Sequence, residues 1–286
     1  MDQNYIAPTA ALKKLKKARS LPQTVYLYGA TGYGKTELVR QYLSGRRYTY
    51  LSCEELPWEE GALPVAEPGR QNRRVVVIDD LHRLKSEELR REIIALEERE
   101  DIWLILISRS PLPAWLMPQH IKSVFVVISE KDLRMGHSEI AAYLEARGIA
   151  YTEEDIQYLQ DTAEGNAYVL HHVALRMKEG LSLGPELYAE IWDAFAVYLE
   201  NVVLVRWDSD VLEFLMQVSV VDEFTLELAE MISGNLHVTA LLERAAEAGN
   251  FTSREDGVYR LRPVLIQALR NRALKLYGRE RVKDFK

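Results

Sequence analysis

Residues 29–36 follow the pattern G-x-x-x-x-G-K-T, and no other feature constrains the fold of this chain as strongly. The apolar segment TVYLY runs into the pattern, and the helix-forming segment TELVRQYL overlaps its end. A strand, a glycine-rich turn and a helix in this order predict a loop whose backbone N–H groups surround a phosphate at a helix N-terminus. Without that context, the pattern would indicate only a glycine-rich turn.

The residue types in this loop suit phosphate chemistry. Its three glycines let the backbone wrap closely around an anion. We expect Lys35 to reach the β- and γ-phosphates of a nucleotide and the Thr36 hydroxyl to ligate Mg²⁺. The nucleotide-binding residues predicted in this segment are Gly29, Ala30, Thr31, Gly32, Tyr33, Gly34, Lys35, Thr36 and Glu37.

A pair of aspartates supplies the second half of the predicted site. Asp79 and Asp80 follow the run VVVI, whose β-branched residues are typical of a parallel strand buried on both faces. Ligands of such sheets bind just beyond the carboxyl ends of the strands. Asp79 is therefore the expected Mg²⁺ partner, and Asp80 is placed to orient or activate the attacking water. The alternative is that one aspartate only caps the following helix.

Composition narrows the classes of protein that fit. The 286 residues exceed the usual size of one domain, so two or three units are expected. Cys53 is the only cysteine, which favours a reducing compartment. Neither a signal peptide nor an apolar run long enough for a membrane is present, so we expect a cytoplasmic protein. The net charge of −7 argues against a surface that binds nucleic acid throughout.

The order of the predicted elements indicates an α/β fold with two appended domains. Strands VYLYG, YTYLSC, VVVIDD, IWLILISR and SVFVVI alternate with helices, which predicts a parallel sheet covered by helices. The segment from Pro57 to Arg74 is rich in Pro, Gly and charge and is expected to be a surface loop. The predicted domains are a P-loop ATPase domain at 1–129 with an N-terminal lead-in, a helical domain at 130–205 and a winged-helix domain at 206–286.

Two local patterns carry these domain predictions. In the helical domain, Ser138 is expected to cap one helix, and Thr152 begins another with a capping box. Beyond residue 208, three helices precede a hairpin with an Asp-Gly turn at 256–257, which is the pattern of a winged helix. The third helix, VTALLERAAEAG, carries one basic residue, Arg244, and two glutamates. DNA recognition needs more basic and amide side chains, so a structural role is favoured.

Long stretches of the chain resemble a known family. IAPTAALKKL, GATGYGKTELVRQYL, VVVIDDLHRL, LILISRSPLPAWL, DTAEGNAYVL and VYRLRPVLIQALR follow, in order, the nucleotide-binding core of large ATP-binding regulators of the LuxR type. These MalT-like regulators are signal-transduction ATPases with numerous domains (STAND). The resemblance covers nearly the entire chain. It implies an AAA+/STAND-like P-loop ATPase followed by a helical domain and a winged helix.

The resemblance also suggests roles for residues outside the loop. Arg109, at the end of a core strand, corresponds to the residue that contacts the γ-phosphate; an ion pair with an aspartate is the alternative. His82 matches a family histidine, although capping or packing would explain it equally well. Ile6 and Pro8 fall where the family's lead-in packs on the adenine.

The chain departs from the family pattern at two positions. The family's Gly-x-Pro motif, which contacts the nucleotide in the helical domain, reads Gly165-Asn166-Ala167 here and lacks the proline. A histidine of the winged helix is replaced by Arg262, which would bind the β-phosphate by a charge-assisted contact.

The resemblance implies a switch operated by ATP and ADP with Mg²⁺, in which ATP promotes self-association and slow hydrolysis resets the protein. The family's inducer-sensing domain and promoter-binding helix-turn-helix do not follow in this sequence, so we expect no sequence-specific DNA binding by this chain alone. The rival hypothesis is a replication- or repair-type P-loop ATPase with a DNA-binding winged helix. A small-molecule kinase is disfavoured, because no acceptor pocket is evident.

Overall fold

The computed structural model describes residues 5–21, 23–58, 63, 73–248, 252–255 and 257–283. The chain forms two compact units, Met1–Ala174 and Leu175–Lys286. The division into three domains stays a prediction. Most of the expected surface loop and Asp256 of the expected hairpin turn lie outside the described residues.

The first unit is built on a parallel sheet of five strands. The strand order is β2-β3-β4-β1-β5, and each neighbouring pair is parallel. The strands are β1 (Val25–Tyr28), β2 (Tyr48–Ser52), β3 (Arg74–Asp79), β4 (Ile102–Ser108) and β5 (Val126–Ile128). All five match the strands predicted from sequence. The α/β fold class is therefore confirmed.

The centre of this sheet explains why the apolar runs are continuous rather than alternating. Every residue of β4 is buried, and Val76, Val77 and Ile78 of β3 have no exposed surface. Helices cover both faces of a parallel sheet, so both sets of side chains along a central strand face protein. Because all five strands run in one direction, their carboxyl ends lie at one edge of the sheet, where the polar residues cluster.

Eight helices are assigned in, or begin in, the described part of the first unit. They are α1 (Thr9–Ser20), α2 (Lys35–Tyr42), α3 (Glu87–Glu97), α4 (Met117–Ser123), α5 (Glu130–Leu133), α6 (His137–Glu145), α7 (Glu153–Ala163) and α8 (Ala167–Lys178). The Thr152 capping box is present. The prediction that Ser138 caps α6 is wrong. The helix begins at His137, its N-cap residue is Gly136, and Glu139 Oε2 accepts the N–H of Gly136 at 3.2 Å.

The second unit contains the predicted three helices and hairpin. Its elements are α9 (Pro185–Tyr198), a π-helical turn (Leu199–Val203), α10 (Ser209–Val218), β6 (Glu223–Phe224), α11 (Leu226–Ser233), α12 (Val238–Ala248), β7 (Thr252–Glu255), β8 (Val258–Leu261) and α13 (Pro263–Lys283). β6, β8 and β7 form an antiparallel sheet in that order. Gly278, with φ of 75°, interrupts α13. Among the described residues, no helix has the length and apolar character that crossing a bilayer requires.

Candidate functional site

A cavity of about 630 Å³ opens at the carboxyl edge of the sheet in the first unit. Four parts of the chain line it: the lead-in, the predicted phosphate loop, the ends of β3 and β4, and the helices that follow β5. The lining residues are Tyr5, Ile6, Pro8, residues 31–37, Arg40, Gln41, Asp79, Asp80, Ser108, Arg109, Met135, Tyr143, Arg147, Ala167, Tyr168 and His171. Gly29 and Ala30 belong to the loop but do not line the cavity.

The loop has the backbone that its glycines predict. Gly32 and Gly34 have φ of 92° and 67°, a region that side chains with a Cβ rarely adopt. Lys35 Nζ donates to the carbonyl oxygens of Gly29 and Ala30 at 2.7 and 2.9 Å. Burial and, to a smaller extent, the charge of Arg109 lower the pKa of Lys35 to about 8, although nearby carboxylates oppose both effects. This ammonium group is therefore bonded to neutral backbone rather than to an acid.

The loop meets the end of β3 through one short hydrogen bond. Thr36 Oγ1 donates to Asp79 Oδ2 at 2.6 Å, and the Tyr50 hydroxyl donates to the same oxygen at 2.8 Å. A hydroxyl and a carboxylate side by side are hard oxygen donors that suit Mg²⁺. Across the described ranges, no group of three or more His, Cys, Asp or Glu side chains is arranged to hold a metal ion. A cation at Thr36 and Asp79 would thus share its coordination with another ligand.

Asp80 is held in an unusual backbone conformation directly after β3. Its φ is 55°, and its N–H donates to Asp79 Oδ1 at 2.7 Å. Ser52 Oγ donates to Asp80 Oδ2 at 3.0 Å. Burial raises the pKa of Asp80, and the adjacent charge of Asp79 adds to the effect. A carboxylate with a raised pKa facing a cavity can accept a proton from water more readily than an ordinary aspartate.

Arg109 follows β4 and lines the cavity beside both aspartates. The alternative prediction, an ion pair, is not seen: within the described residues no ion pair links Arg109 to Asp79 or Asp80. Its charge still acts on its surroundings, since it lowers the pKa values of Lys35 and His82. Lys35 and Arg109 are therefore two of the four cationic side chains that line the cavity, together with Arg40 and Arg147.

His82 does not line the cavity. It lies in the single 3₁₀ turn that follows Asp80. Its Nδ1 atom is buried and has no hydrogen-bond partner among the described residues. Burial, aided by the charge of Arg109, lowers the pKa of His82 to about 2. The side chain is therefore neutral at physiological pH.

The helices after β5 contribute side chains that sequence reasoning did not assign to the site. The Tyr143 hydroxyl and His171 Nδ1 share a hydrogen bond of 2.9 Å. The Arg147 guanidinium lies 3.5 Å from the centroid of the Tyr143 ring. No signal in the sequence set these residues apart: Tyr143 and His171 lie on α6 and α8, and Arg147 lies in the turn after α6.

The start of α8 is attached to the loop. Tyr168 N–H donates to the Gly32 carbonyl at 2.9 Å, and Asn166 Oδ1 accepts from Tyr168 N–H at 3.0 Å. A Cβ added at Gly32 would lie 2.7 Å from Asn166 Oδ1, a distance that real Cβ atoms do not show. Asn166, where the family motif has its variable residue, thus caps α8 and packs on the phosphate loop.

Glu130 and Arg262 both lie outside the lining of the cavity. Glu130, which was not predicted, accepts the N–H of Ala30 at 3.0 Å from outside the cavity. Glu130 lies two residues beyond the end of β5, and Asp80 directly follows β3, so an acid at the carboxyl end of a strand was the signal in the sequence that could have identified it. Arg262 lies in the second unit, where its carbonyl accepts from Leu265 N–H at the start of α13. Its contact with a nucleotide stays a prediction.

Comparisons with known proteins agree with this architecture. Residues 199–281 match the family model described as the MalT winged helix domain. The chain carries a MalT-type winged helix. Among solved structures, the Walker-type ATPase PABY2304 of Pyrococcus abyssi has a TM-score of 0.69 at 15% identity, covering 94% of this chain and 97% of that one. The P-loop ATPase fold is therefore confirmed.

A curated relative matches about two thirds of the chain in sequence. The serine/threonine-protein kinase PknK of Mycobacterium tuberculosis is 29% identical over 192 residues. The match covers 65% of this chain and 17% of that protein. The chain thus spans less than a fifth of the length of the curated relatives it matches.

Proposed function

We propose that this chain is the nucleotide-operated core of a regulatory ATPase, which binds ATP or ADP with Mg²⁺ and hydrolyses ATP slowly. The observation that supports this most is the 2.6 Å hydrogen bond between Thr36 Oγ1 and Asp79 Oδ2. It joins a glycine-rich loop to an acidic strand end beside Lys35 and Arg109. Few functions other than phosphate binding use such a combination.

The phosphate end of the site matches a polyphosphate chain in charge and in donors. Lys35 and Arg109 supply two positive charges, and the loop supplies backbone N–H groups at the start of α2. The buried Thr31 hydroxyl has no partner within the described residues, so it is available to a phosphate oxygen. Thr36 and Asp79 would hold Mg²⁺, which when bound neutralises phosphate charge.

The opposite end of the cavity suits a flat base. Tyr5, Ile6 and Pro8 of the lead-in face the same cavity as Tyr143 and His171. Aromatic and aliphatic surfaces with a few polar atoms are the usual lining of a small-molecule site, and the cavity volume falls within the usual range of about 300–1,000 Å³. We therefore propose that the base lies against the lead-in, as the family resemblance implied.

Asp80 is the proposed catalytic residue. Its raised pKa suits a group that accepts a proton from an attacking water. Arg109 is the proposed stabiliser of charge on the transferred phosphoryl group, because it lines the cavity without an acidic partner among the described residues. Neither role requires a movement of the sheet.

A switch needs an element that responds to the γ-phosphate, and α8 is the candidate. Its first turn is hydrogen-bonded to Gly32, so a shift of the loop would move the start of the helix. ATP and ADP differ only at the position that Lys35 and Arg109 would contact. Nucleotides shift such an equilibrium only to the extent that they differ in affinity for its states. We propose that the ATP state also favours self-association.

The test begins with the nucleotide that co-purifies with the protein, identified after denaturation. Calorimetric titration of ATP and ADP with and without Mg²⁺ then compares the wild type with Asp79→Asn. We expect Mg²⁺ to strengthen ATP binding in the wild type more than in the variant, and turnover far below about 10 s⁻¹. Sedimentation with each nucleotide tests self-association. Absence of nucleotide binding would refute the function, and fast turnover would refute the switch.

A further inference from the structure

Glu130 packs against the back of the phosphate loop. It is the first residue of α5, and it is only 6% exposed although it is an acid. Its Oε2 atom accepts the N–H of Ala30 at 3.0 Å. A Cβ added at Gly29 would lie 3.1 Å from Glu130 Cβ, closer than ordinary van der Waals contact. The carboxylate side chain therefore fixes both the path and the packing of residues 29–30.

The segment of Gly29 and Ala30 is held from two sides. Glu130 takes the N–H of Ala30, and Lys35 Nζ donates to both carbonyl oxygens. A lysine that turns toward nucleotide phosphates would leave these carbonyls. The bond from Glu130 would then be the remaining side-chain contact of the three. Glu130 is thus placed to hold the start of the loop while the ligand is bound.

The charge of Glu130 has a separate effect. Arg134 Nη2 lies 3.6 Å from Glu130 Oε1, but this arginine side chain is 44% exposed and lies 3.5 Å from Glu164 as well. This ion pair is therefore open to water on the arginine side. A negative charge beside an anion site opposes phosphate binding, and the opposition is stronger where water is excluded. A neutral acceptor would hold the Ala30 amide without this opposition.

We propose that Glu130 is a positioning residue of the phosphate loop: its carboxylate oxygen fixes Gly29 and Ala30, and its negative charge lowers the affinity of the loop for nucleotide phosphates. The proposal rests on the proposed function, since it needs a phosphate ligand. It assigns no contact between Glu130 and the nucleotide, which Glu130 affects through the loop alone.

Two variants of similar size separate the effect of the Glu130 acceptor oxygen on ADP affinity from the effect of its charge. Glu130→Gln keeps an acceptor oxygen and removes the charge, whereas Glu130→Met removes both at nearly constant size. The ADP dissociation constant is measured by calorimetry for each variant. We expect Glu130→Gln to bind about three- to tenfold more tightly than the wild type, and Glu130→Met to bind at least about tenfold more weakly than Glu130→Gln.

Glu200 provides a matched control. It is also a buried acid, 5% exposed, and Lys275 Nζ donates to it at 2.8 Å in the second unit. Glu200→Gln removes a buried charge without touching the loop. We expect its ADP affinity to equal that of the wild type. A large loss of affinity would mean that removing any buried charge weakens ADP binding by destabilising the fold, and this would overturn the inference.

The outcomes distinguish this inference from the proposed function. Equal affinities of the Gln and Met variants would overturn the positioning role, and Glu130→Gln binding no more tightly than the wild type would overturn the effect of charge. If Glu130→Met does not fold, the comparison of Glu130→Gln with the wild type decides alone. A wild type that binds no ADP would overturn the proposed function, and this inference with it.

Discussion

Positive charge is handled in opposite ways in the cavity of the first unit and in the winged helix of the second. In the cavity, Lys35 is bonded to backbone carbonyls and Arg109 has no acidic partner among the described residues. In the winged helix, Arg244 is paired with Asp208 and Asp210 at 2.6 and 2.5 Å. An arginine held by carboxylates contributes little net charge to a ligand, whereas a cation held by neutral groups retains its charge.

The same contrast extends to other arginines of the second unit. Arg260 pairs with Glu223 at 2.7 Å, and Arg270 pairs with Asp222 at 3.1 Å. Exposed pairs of this kind add little stability. They do reduce the positive potential that a phosphate backbone would meet. Lys35 and Arg109 thus have no acidic partner in an ion pair within the described residues, while the winged helix uses these arginines for internal contacts.

The largest expected effect concerns hydrolysis in the cavity. Asp80→Asn keeps the shape and removes the group that accepts a proton, so we expect ATP turnover to fall by about a hundredfold or more. ATP affinity should change by less than about threefold. Single-turnover hydrolysis and calorimetry measure the two quantities. Asp101→Asn, which removes an acid paired with Arg99 away from the cavity, is the control. Unchanged turnover in Asp80→Asn would exclude the aspartate as the base.

The next effect concerns the cation of the loop. Lys35→Ala should weaken ATP binding by about 10- to 100-fold, because a charge-assisted contact contributes about 1.5–3 kcal/mol. Lys14→Ala is the matched control: Lys14 also donates to a backbone carbonyl, that of Val127 at 3.0 Å, but it does not line the cavity. Titration of ATP into both folded variants gives the comparison. Equal affinities would show that the loop does not bind phosphates.

A third prediction uses the neutral histidine beside the site. The pKa of His82 is lowered from 6.5 to about 2 in the native state, so only the unfolded state takes up its proton between these values. Stability is therefore full above pH 6.5 and falls as the pH drops below it, by at most about 1.4 kcal/mol per pH unit. Burial lowers the pKa of His171 as well, which gives an effect of the same sign.

A variant isolates the contribution of His82. We expect His82→Gln to reduce the loss of unfolding free energy between pH 7.5 and 5.5 by about 1 kcal/mol. Urea unfolding at both pH values measures this loss. His237→Gln, at an exposed position of the second unit, should leave the loss unchanged. The same pH dependence in His82→Gln and in the wild type would mean that the pKa of His82 does not differ between the native and unfolded states.

The strands of the sheet and the residues at their carboxyl ends could be predicted from the sequence, because both depend on patterns within a few consecutive residues. Strand-forming runs that alternate with helices identified all five strands, and strand ends identified Asp79, Asp80 and Arg109. Contacts between distant segments were missed: Glu130 meets Ala30 across 100 positions and Asn166 meets Thr31 across 135. The Ser138 cap failed because Glu139, one residue on, provides the competing bond to the backbone.

The smallest expected effect concerns the winged helix. Arg244 is the single basic residue of α12, and both of its acidic partners lie at the start of α10. Arg244→Ala removes these exposed pairs, so we expect a slight fall in the urea midpoint of unfolding. ADP affinity should be unchanged, because Arg244 does not line the cavity of the first unit.

Binding of duplex DNA distinguishes a structural role of the winged helix from a role in DNA binding. If the domain is structural, the wild type and Arg244→Ala should both bind duplex DNA no more tightly than about 10⁻⁴ M at physiological salt, since Arg244 is held by two aspartates. A titration of duplex at several salt concentrations provides the measurement. Tight binding by the wild type that weakens steeply with salt, and that is lost in Arg244→Ala, would show that the arginine leaves its aspartates for phosphate. That result would reverse the comparison between the two regions and favour a replication- or repair-type ATPase.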